Sequence, residues 1–306
     1  MNRPTSPASG FTLVEAVIVI AVTGIVAAIV AIFIVSPVKG YVTSTLHAQM
    51  TDAADATLRR MQRDIRLALP NSLRVKDSAG NVGFCNSSAA TCYIEHIPTT
   101  AGAMYRALGD GSTGGTVLSF TDNTQTTFDV LGQLSPAPAV GDYVVVYNLG
   151  PNFDPSNAYL YGNAKCGTAG QGCNIAKISG LGTGNILLSS NPFANEGPPL
   201  PSPNNRFQIV PNAGPVTYTC SPSAGAAVNR YSGYSGSGAS AWSLNQPTSF
   251  SVAPAVVLDN ATCEVDYAQQ NALARSGLLF IRINVTDAAS GDVVTVFREI
   301  HVDNSP

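Results

Sequence analysis

Charge is what this sequence has least of: Asp, Glu, Lys and Arg make up 11% of its 306 residues, against roughly a quarter in an ordinary soluble domain. Sixteen basic and nineteen acidic residues leave a formal net charge of -3, so a general attraction to nucleic acid is not expected. His47, His96 and His301 are the only histidines. They stand too far apart for H-E-x-x-H or any comparable ligand spacing. No G-x-S-x-G elbow and no phosphate-cradling glycine loop lies between a strand and a helix. The acids Asp110, Asp122, Asp259 and Asp292 sit in turn-rich sequence without the D-x-[DN]-x-[DN]-G register of a calcium loop, which favours turns and caps. The chain therefore reads as no enzyme, with no cofactor and no metal.

What is present is 28 glycines, 20 prolines and six cysteines. With so little charge, the polar surface must come from Ser, Thr, Asn, Gln and backbone, a composition typical of exported, loop-rich β proteins. Cys85 and Cys92 enclose six residues, as do Cys166 and Cys173, whereas zinc knuckles and redox motifs use closer spacings. Disulfides are the better reading. Six cysteines permit fifteen pairings; the favoured set is Cys85 with Cys92, Cys166 with Cys173, and Cys220 with Cys263, which requires an oxidising compartment.

The first ten residues are polar, with Arg3 their only charge, and are followed directly by a long apolar run. Ala16 to Val35 carries no charge and is long enough, as a helix, to cross a bilayer. Ser36-Pro37-Val38-Lys39-Gly40 does not read as the small-residue cleavage site of a secretory signal peptide. Glu15 is the anomaly, a carboxylate at the edge of the apolar run that is costly without a positive partner. A cut after Gly10 would create an amine at Phe11, one helical turn from Glu15.

The run Gly10-Phe11-Thr12-Leu13-Val14-Glu15 resembles the type III signal of type IV prepilins and type II secretion pseudopilins. The resemblance implies a leader at 1–10 removed between Gly10 and Phe11 by a membrane aspartyl prepilin peptidase, which methylates the Phe11 amine. It also implies that Glu15 engages the terminal amine of a neighbouring subunit during assembly. The pattern then turns amphipathic: Val42, Leu46, Met50, Ala54, Leu58, Met61, Ile65 and Leu69 lie along one side of a helix. Asp55 with Arg59, and Arg60 with Asp64, have i,i+4 spacing. Arg59, Arg60, Arg63 and Arg66 read as a solvated or intersubunit face, and Pro70 as the stop. The expected segments are a transmembrane helix over 11–35, its amphipathic continuation over 36–69 and an extracytoplasmic β-rich domain over 70–306. Gly24 and Ser36-Pro37 are expected places for a bend or local melting.

Beyond Pro70, β-prone runs are expected at Cys92 to Ile97, Thr116 to Phe120, Tyr143 to Tyr147, Asn185 to Leu188, Phe207 to Val210, Val216 to Cys220 and Ala255 to Leu258. A hairpin of Gly277 to Asn284 with Asp292 to Ile300 turns through Asp287 to Gly291. Gly150 to Gly184 and Asn191 to Pro203 read as irregular, the first ordered by its cysteine closure, and 232–240 as a mobile tip. Tyr231, Tyr234 and Trp242 flank that tip. The fold class is α+β, a pilin-like long N-terminal helix packed on an antiparallel β-rich domain.

Thr51 to Val75 and the ending His301 to Pro306 resemble the MshO family, minor pilin-like proteins of the mannose-sensitive haemagglutinin (MSHA) pilus system. That resemblance implies a low-abundance subunit that initiates or caps the filament. Its implied partners are the prepilin peptidase, other major and minor pilins, the inner-membrane assembly machinery and a surface ligand. The implied location is the bacterial inner membrane, single-pass with a periplasmic domain, and then the pilus tip. A minor pseudopilin of a type II secretion system and a tip adhesin remain the rival readings, because the N-terminal chemistry is common to all three.

Overall fold

The computed structural model describes residues 10–306 except 88, 108–113, 165, 167–171, 196, 198, 223–225, 235–241 and 269–275. Residues 1–9 of the expected leader, Asp110 and positions 235–240 of the expected tip lie outside the described residues. The chain divides into two compact units, Met1–Met50 and Thr51–Pro306. A single helix, α1 (Leu13–Arg66), contributes to both.

In the first unit α1 is apolar and exposed; the most apolar stretch has none of its residues buried. Helical assignment runs through Gly24 and Pro37 without a break, so the local melting expected there is not seen. Proline fixes φ near the helical value and forfeits one hydrogen bond, which the flanking turns can carry. Thr23 donates its hydroxyl to the carbonyls of Val19 at 2.6 Å and Ile20 at 3.1 Å, leaving little unsatisfied polarity along the run.

The second unit is α+β, as expected: the end of α1 followed by an antiparallel β-rich domain. Its strands in chain order are β1 (Arg74–Asp77), β2 (Phe84–Asn86), β3 (Cys92–His96), β4 (Ala101–Tyr105), β5 (Thr127–Leu131), β6 (Tyr143–Val146), β7 (Ile175–Gly182) and β8 (Asn185–Leu188). There follow β9 (Arg206–Val210), β10 (Val216–Cys220), β11 (Val228–Ser232), β12 (Ala255–Leu258), β13 (Ala261–Ala268), β14 (Ser276–Thr286) and β15 (Val293–Asp303). They form a five-stranded sheet β1-β3-β10-β11-β12, a four-stranded sheet β15-β14-β13-β2 and a closed six-stranded barrel β4-β5-β8-β7-β6-β9.

The barrel is an insertion. Strands β3 and β10 pair directly, with His96 opposite Val216 and Cys92 opposite Cys220, and the barrel strands all lie between them in sequence. Its interior is filled by Phe128, Val144, Ile186, Phe207 and their neighbours, with Phe128 edge-on to Phe207 at 5.5 Å. Packing of this kind is normal for a small barrel. A second cluster, including Tyr143, Tyr159, Ile175 and Trp242, joins the outside of the barrel to Leu69 and Ile97.

Two elements depart from the sequence reading. Thr116 to Phe120 forms no strand, and Gly150 to Gly184 contains a 3-10 turn at Ala158–Leu160 as well as all of β7. Four glycines and a serine dilute the apolar alternation in and around β7, hiding a strand whose stability comes from its neighbours β6 and β8. The C-terminal hairpin is longer than the pattern predicts, and its β14 alternates Leu279, Ile281, Ile283 and Val285 inward.

Disulfides join Cys85 to Cys92, Cys166 to Cys173, and Cys220 to Cys263. Cys92 and Cys220 are cross-strand partners in the five-stranded sheet, while Cys85 and Cys263 belong to β2 and β13 of the other sheet. Two bridges thus tie the sheets together side by side.

Within the second unit Ala54, Leu58, Met61 and Ile65 present the apolar side of α1 and are fully buried. Polar bonds fix its register. Asp64 accepts from the Tyr218 hydroxyl at 2.7 Å and Arg230 Nε at 3.1 Å, so it turns inward instead of closing the expected pair with Arg60. Asp55 takes Arg59 as expected and also Arg298 of β15, both at 2.6 Å. Gln62 accepts from Arg298 too. His96, fully buried and stacked on Tyr218, has no hydrogen-bond partner among the described residues at either ring nitrogen. Burial lowers its pKa to about 4, with Arg230 adding to the effect and Asp64 opposing it.

Leu58→Ala should cost about 2–5 kcal/mol of stability by opening a cavity beneath α1, measured by denaturant unfolding of the full chain in detergent. For His96 the unfolded state binds the extra proton between its ordinary pKa of 6.5 and the folded value of about 4. Its contribution is therefore present above pH 6.5, declines as the pH falls through that window and is gone below about 4, a loss of about 3 kcal/mol. His96→Phe should shrink the stability difference between pH 7 and pH 4.5 relative to the unaltered chain; an unchanged difference would show that His96 is not its source.

Candidate processing and assembly site

The N-terminal candidates Gly10, Phe11 and Glu15 lie together at the start of α1. Thr12 caps the helix: its hydroxyl oxygen accepts from the Glu15 backbone N–H at 3.2 Å, and its carbonyl accepts from Ala16 at 3.1 Å. Thr-x-x-Glu is the sequence of a capping box. The Glu15 amide is satisfied by Thr12, and the residue is exposed at a helix start whose dipole favours negative charge. Phe11 is 70% exposed and Leu13 81%. Among the described residues, a Cβ placed on Gly10 would meet nothing within 4 Å, so their packing does not require glycine at that position.

The second unit holds polar constellations of another kind. Glu95 of β3 is buried, accepting Arg74 Nε at 2.6 Å and the Tyr234 hydroxyl at 2.8 Å. Burial pushes the Glu95 carboxyl up, and Arg74 opposes that rise. Arg74 also donates to the carbonyls of Leu244 at 2.6 Å and Ser243 at 3.0 Å, and it lies 3.7 Å over the Tyr159 ring. Arg74 is therefore separate in role from the helical arginines: it fastens the 242–250 segment to the five-stranded sheet. Gln246 completes the attachment by donating to Tyr93 O at 3.0 Å and Arg74 O at 3.3 Å.

Of the three aromatics singled out beside the tip, Trp242 is core, edge-on to Tyr143 at 5.1 Å. Tyr234 bonds Glu95 and Thr217, and Tyr231 stacks on Phe250 at 4.1 Å. Phe250, a lone aromatic in Ser/Thr/Pro sequence, gave no periodic signal and escapes a reading by pattern. Asp122 and Asp287 accept backbone N–H groups from residues two or three positions on, the turn role expected of such acids. Among the described residues no group of three or more His, Cys, Asp or Glu could hold a metal ion.

The two stretches that carry the family resemblance beyond the leader also meet. Asn71, at φ 60, donates from Nδ2 to Asn304 O at 3.0 Å and Asn148 O at 2.9 Å. Asn304 Oδ1 in turn accepts from the Asn71 backbone N–H at 3.3 Å. The exit of the helix is thereby bonded to the C-terminal tail, through asparagines whose burial leaves them no solvent to replace those bonds.

Residues 6–31 match the family profile of the prokaryotic N-terminal methylation motif. No curated protein and no solved structure matches the chain. The matched stretch contains Gly10, Phe11, Glu15 and the beginning of the exposed apolar helix. A prepilin-type motif implies processing by a prepilin peptidase and assembly with pilin partners, and together with that helix it is consistent with a single-pass membrane anchor. It supports a type IV pilin or pseudopilin and points to a structural role.

Proposed function

We propose that this protein is a minor type IV pilin that initiates or caps an MSHA-type pilus and is processed between Gly10 and Phe11. The observation that carries the reading is Gly10-Phe11 followed by Glu15 at the head of an exposed apolar helix, within the matched motif. The finer assignment to the MSHA system draws on Thr51 to Val75 and His301 to Pro306.

The chemistry is electrostatic. Removal of 1–10 creates an α-amine at Phe11, which is largely protonated at neutral pH and keeps its charge on methylation. Glu15, four residues on, stands one helical turn away. In lipid an unpaired carboxylate is costly, and so is a charge buried among packed helices. An incoming subunit whose Phe11 amine meets Glu15 of its neighbour offsets both costs, and a subunit out of register leaves both groups unpaired. The pair selects one axial stagger. The membrane anchor is then a stage: the same helix is processed, extracted and repacked against other helices, with the domain of 70–306 outside.

The closest rival is a type II secretion pseudopilin, which would use identical N-terminal chemistry. Deleting the gene and measuring pili and exoprotein export in the same cells separates the two: loss of pili with normal export is expected, and loss of export with normal pili would transfer the protein to the secretion system.

N-terminal sequencing and intact mass of the filament form should show a chain beginning at methylated Phe11; retention of 1–10 in working filaments would reject the cleavage site. Gly10→Val should leave uncleaved precursor in the membrane without changing the unfolding of the second unit, since no described residue packs on that position. Glu15→Ala should insert normally but enter filaments at least about tenfold less, the equivalent of 1.4 kcal/mol. Normal incorporation would sink the charge-pair mechanism.

A further inference from the structure

The outer face of the five-stranded sheet is crossed by the 242–254 segment, and a cavity of about 390 Å³ opens between them. That volume lies in the range of small-molecule sites, about 300–1,000 Å³. The floor is made by side chains of β3, β10 and β11 with the residues that flank them, including Tyr93, Thr219 and Asn229, and the wall by Thr248, Phe250 and Pro254. No Asp, Glu, Lys, Arg or His is among the described residues lining it. Hydroxyls and one carboxamide supply the polarity, and aromatic rings with Val252 and Pro254 supply the rest.

Three features make this a built site and not a surface dimple. First, its aromatic wall is fixed. Phe250 stacks on Tyr231 at 4.1 Å with an interplanar angle of 18°, and Tyr234 closes on its edge at 5.0 Å. Second, the segment bearing Phe250 is fastened to the sheet. Tyr93 donates its hydroxyl to Thr248 O at 3.1 Å, Gln246 reaches the Tyr93 carbonyl, and Arg74 holds Ser243 and Leu244. Third, the side chains of Thr219, Ser221 and Asn229 and the Tyr231 hydroxyl line the cavity yet make no hydrogen bond to another described residue. A ligand would find donors and acceptors not taken up by the fold, beside an aromatic wall whose ordering cost is already met.

An uncharged lining offers no countercharge to a phosphate, carboxylate or ammonium group, which disfavours ionic ligands. A peptide is also disfavoured. β3, β10 and β11 are each flanked on both sides by other strands, so their backbones have no free edge with which to extend a ladder. A neutral sugar meets both halves of the lining: its hydroxyls pair with Thr, Ser, Asn and Tyr groups that both donate and accept, and its apolar C–H face lies against an aromatic ring. We propose that this cavity binds a neutral saccharide, with Tyr231 and Phe250 as the stacking platform and Thr219, Ser221 and Asn229 as the hydroxyl-reading groups.

The proposal does not depend on filament assembly. The test uses the full chain in lauryldimethylamine oxide, a detergent without a sugar headgroup, titrated with maltotriose, cellotriose and chitotriose by calorimetry and saturation-transfer NMR. A proline-rich decapeptide serves as the competing ligand class. At least one trisaccharide should bind saturably, and Tyr231→Ala and Asn229→Ala should each weaken it about tenfold or more, the equivalent of losing one good contact, while the unfolding midpoint of Asn229→Ala stays within about 2 °C of the original. Glu15→Ala should bind as the unaltered chain does, which separates this site from the filament reading. Saturable binding by none of the three sugars, binding by the peptide alone, or wild-type affinity in both cavity variants would overturn the proposal.

Discussion

Cys92 and Cys220 stand opposite one another on neighbouring strands, and each is bonded out of its own sheet, to Cys85 and Cys263. Much of the second unit follows from that arrangement. The bridges span sequence separations of 7 and 43, whereas the far longer closure that makes β3 and β10 neighbours, among the costlier ones in chain entropy, falls to the strand pairing itself. The bridges tie the two sheets to one another, β2 to β3 and β10 to β13. A cross-link restricts the unfolded ensemble as well as the folded one, and a domain with few charges and many glycines has much conformational entropy to restrain.

Scarcity of charge sharpens the role of each charge that is buried. Arg74 and Glu95 form an inward pair that organises the loop carrying Phe250, and Asp64 accepts from a tyrosine and an arginine of different strands. Removing one member of such a group strands the others in a low-dielectric setting. The arginines left on the outside of α1, Arg60, Arg63 and Arg66, are exposed. Charge inside fixes the fold, and charge outside is left for solvent or for neighbours.

The sequence made the helix legible through period and length, and the C-terminal hairpin through strict alternation flanking Asp287 to Gly291. Val216 to Cys220 and Ala255 to Leu258 were readable to the residue, because short apolar runs between turn residues have few other uses. The barrel was not legible. Its closure depends on β4 meeting β9, strands joined by no short turn, and local pattern carries no information about such pairings. The same limit hid the Arg74–Glu95 pair, whose members stand 21 residues apart and meet because β1 pairs with β3. At the candidate site, Gly10, Phe11 and Glu15 could be read because their spacing is itself the signal. Phe250 could not, since its importance comes only from the Tyr231 ring that the fold brings onto it.

The placement of the barrel has a consequence for how such a protein can diversify. Its entry and exit leave adjacent, directly paired strands at His96 and Val216, points that neighbouring strands hold about 5 Å apart. A segment of almost any length or architecture can be spliced between two such points without disturbing the register of either strand. What a replacement must keep is the seam where Asn148 and Tyr159 of the insert bond Pro70, Asn71 and Ser72 at the helix exit, so that surface novelty is gained by replacing a cassette whose one packed side is held constant.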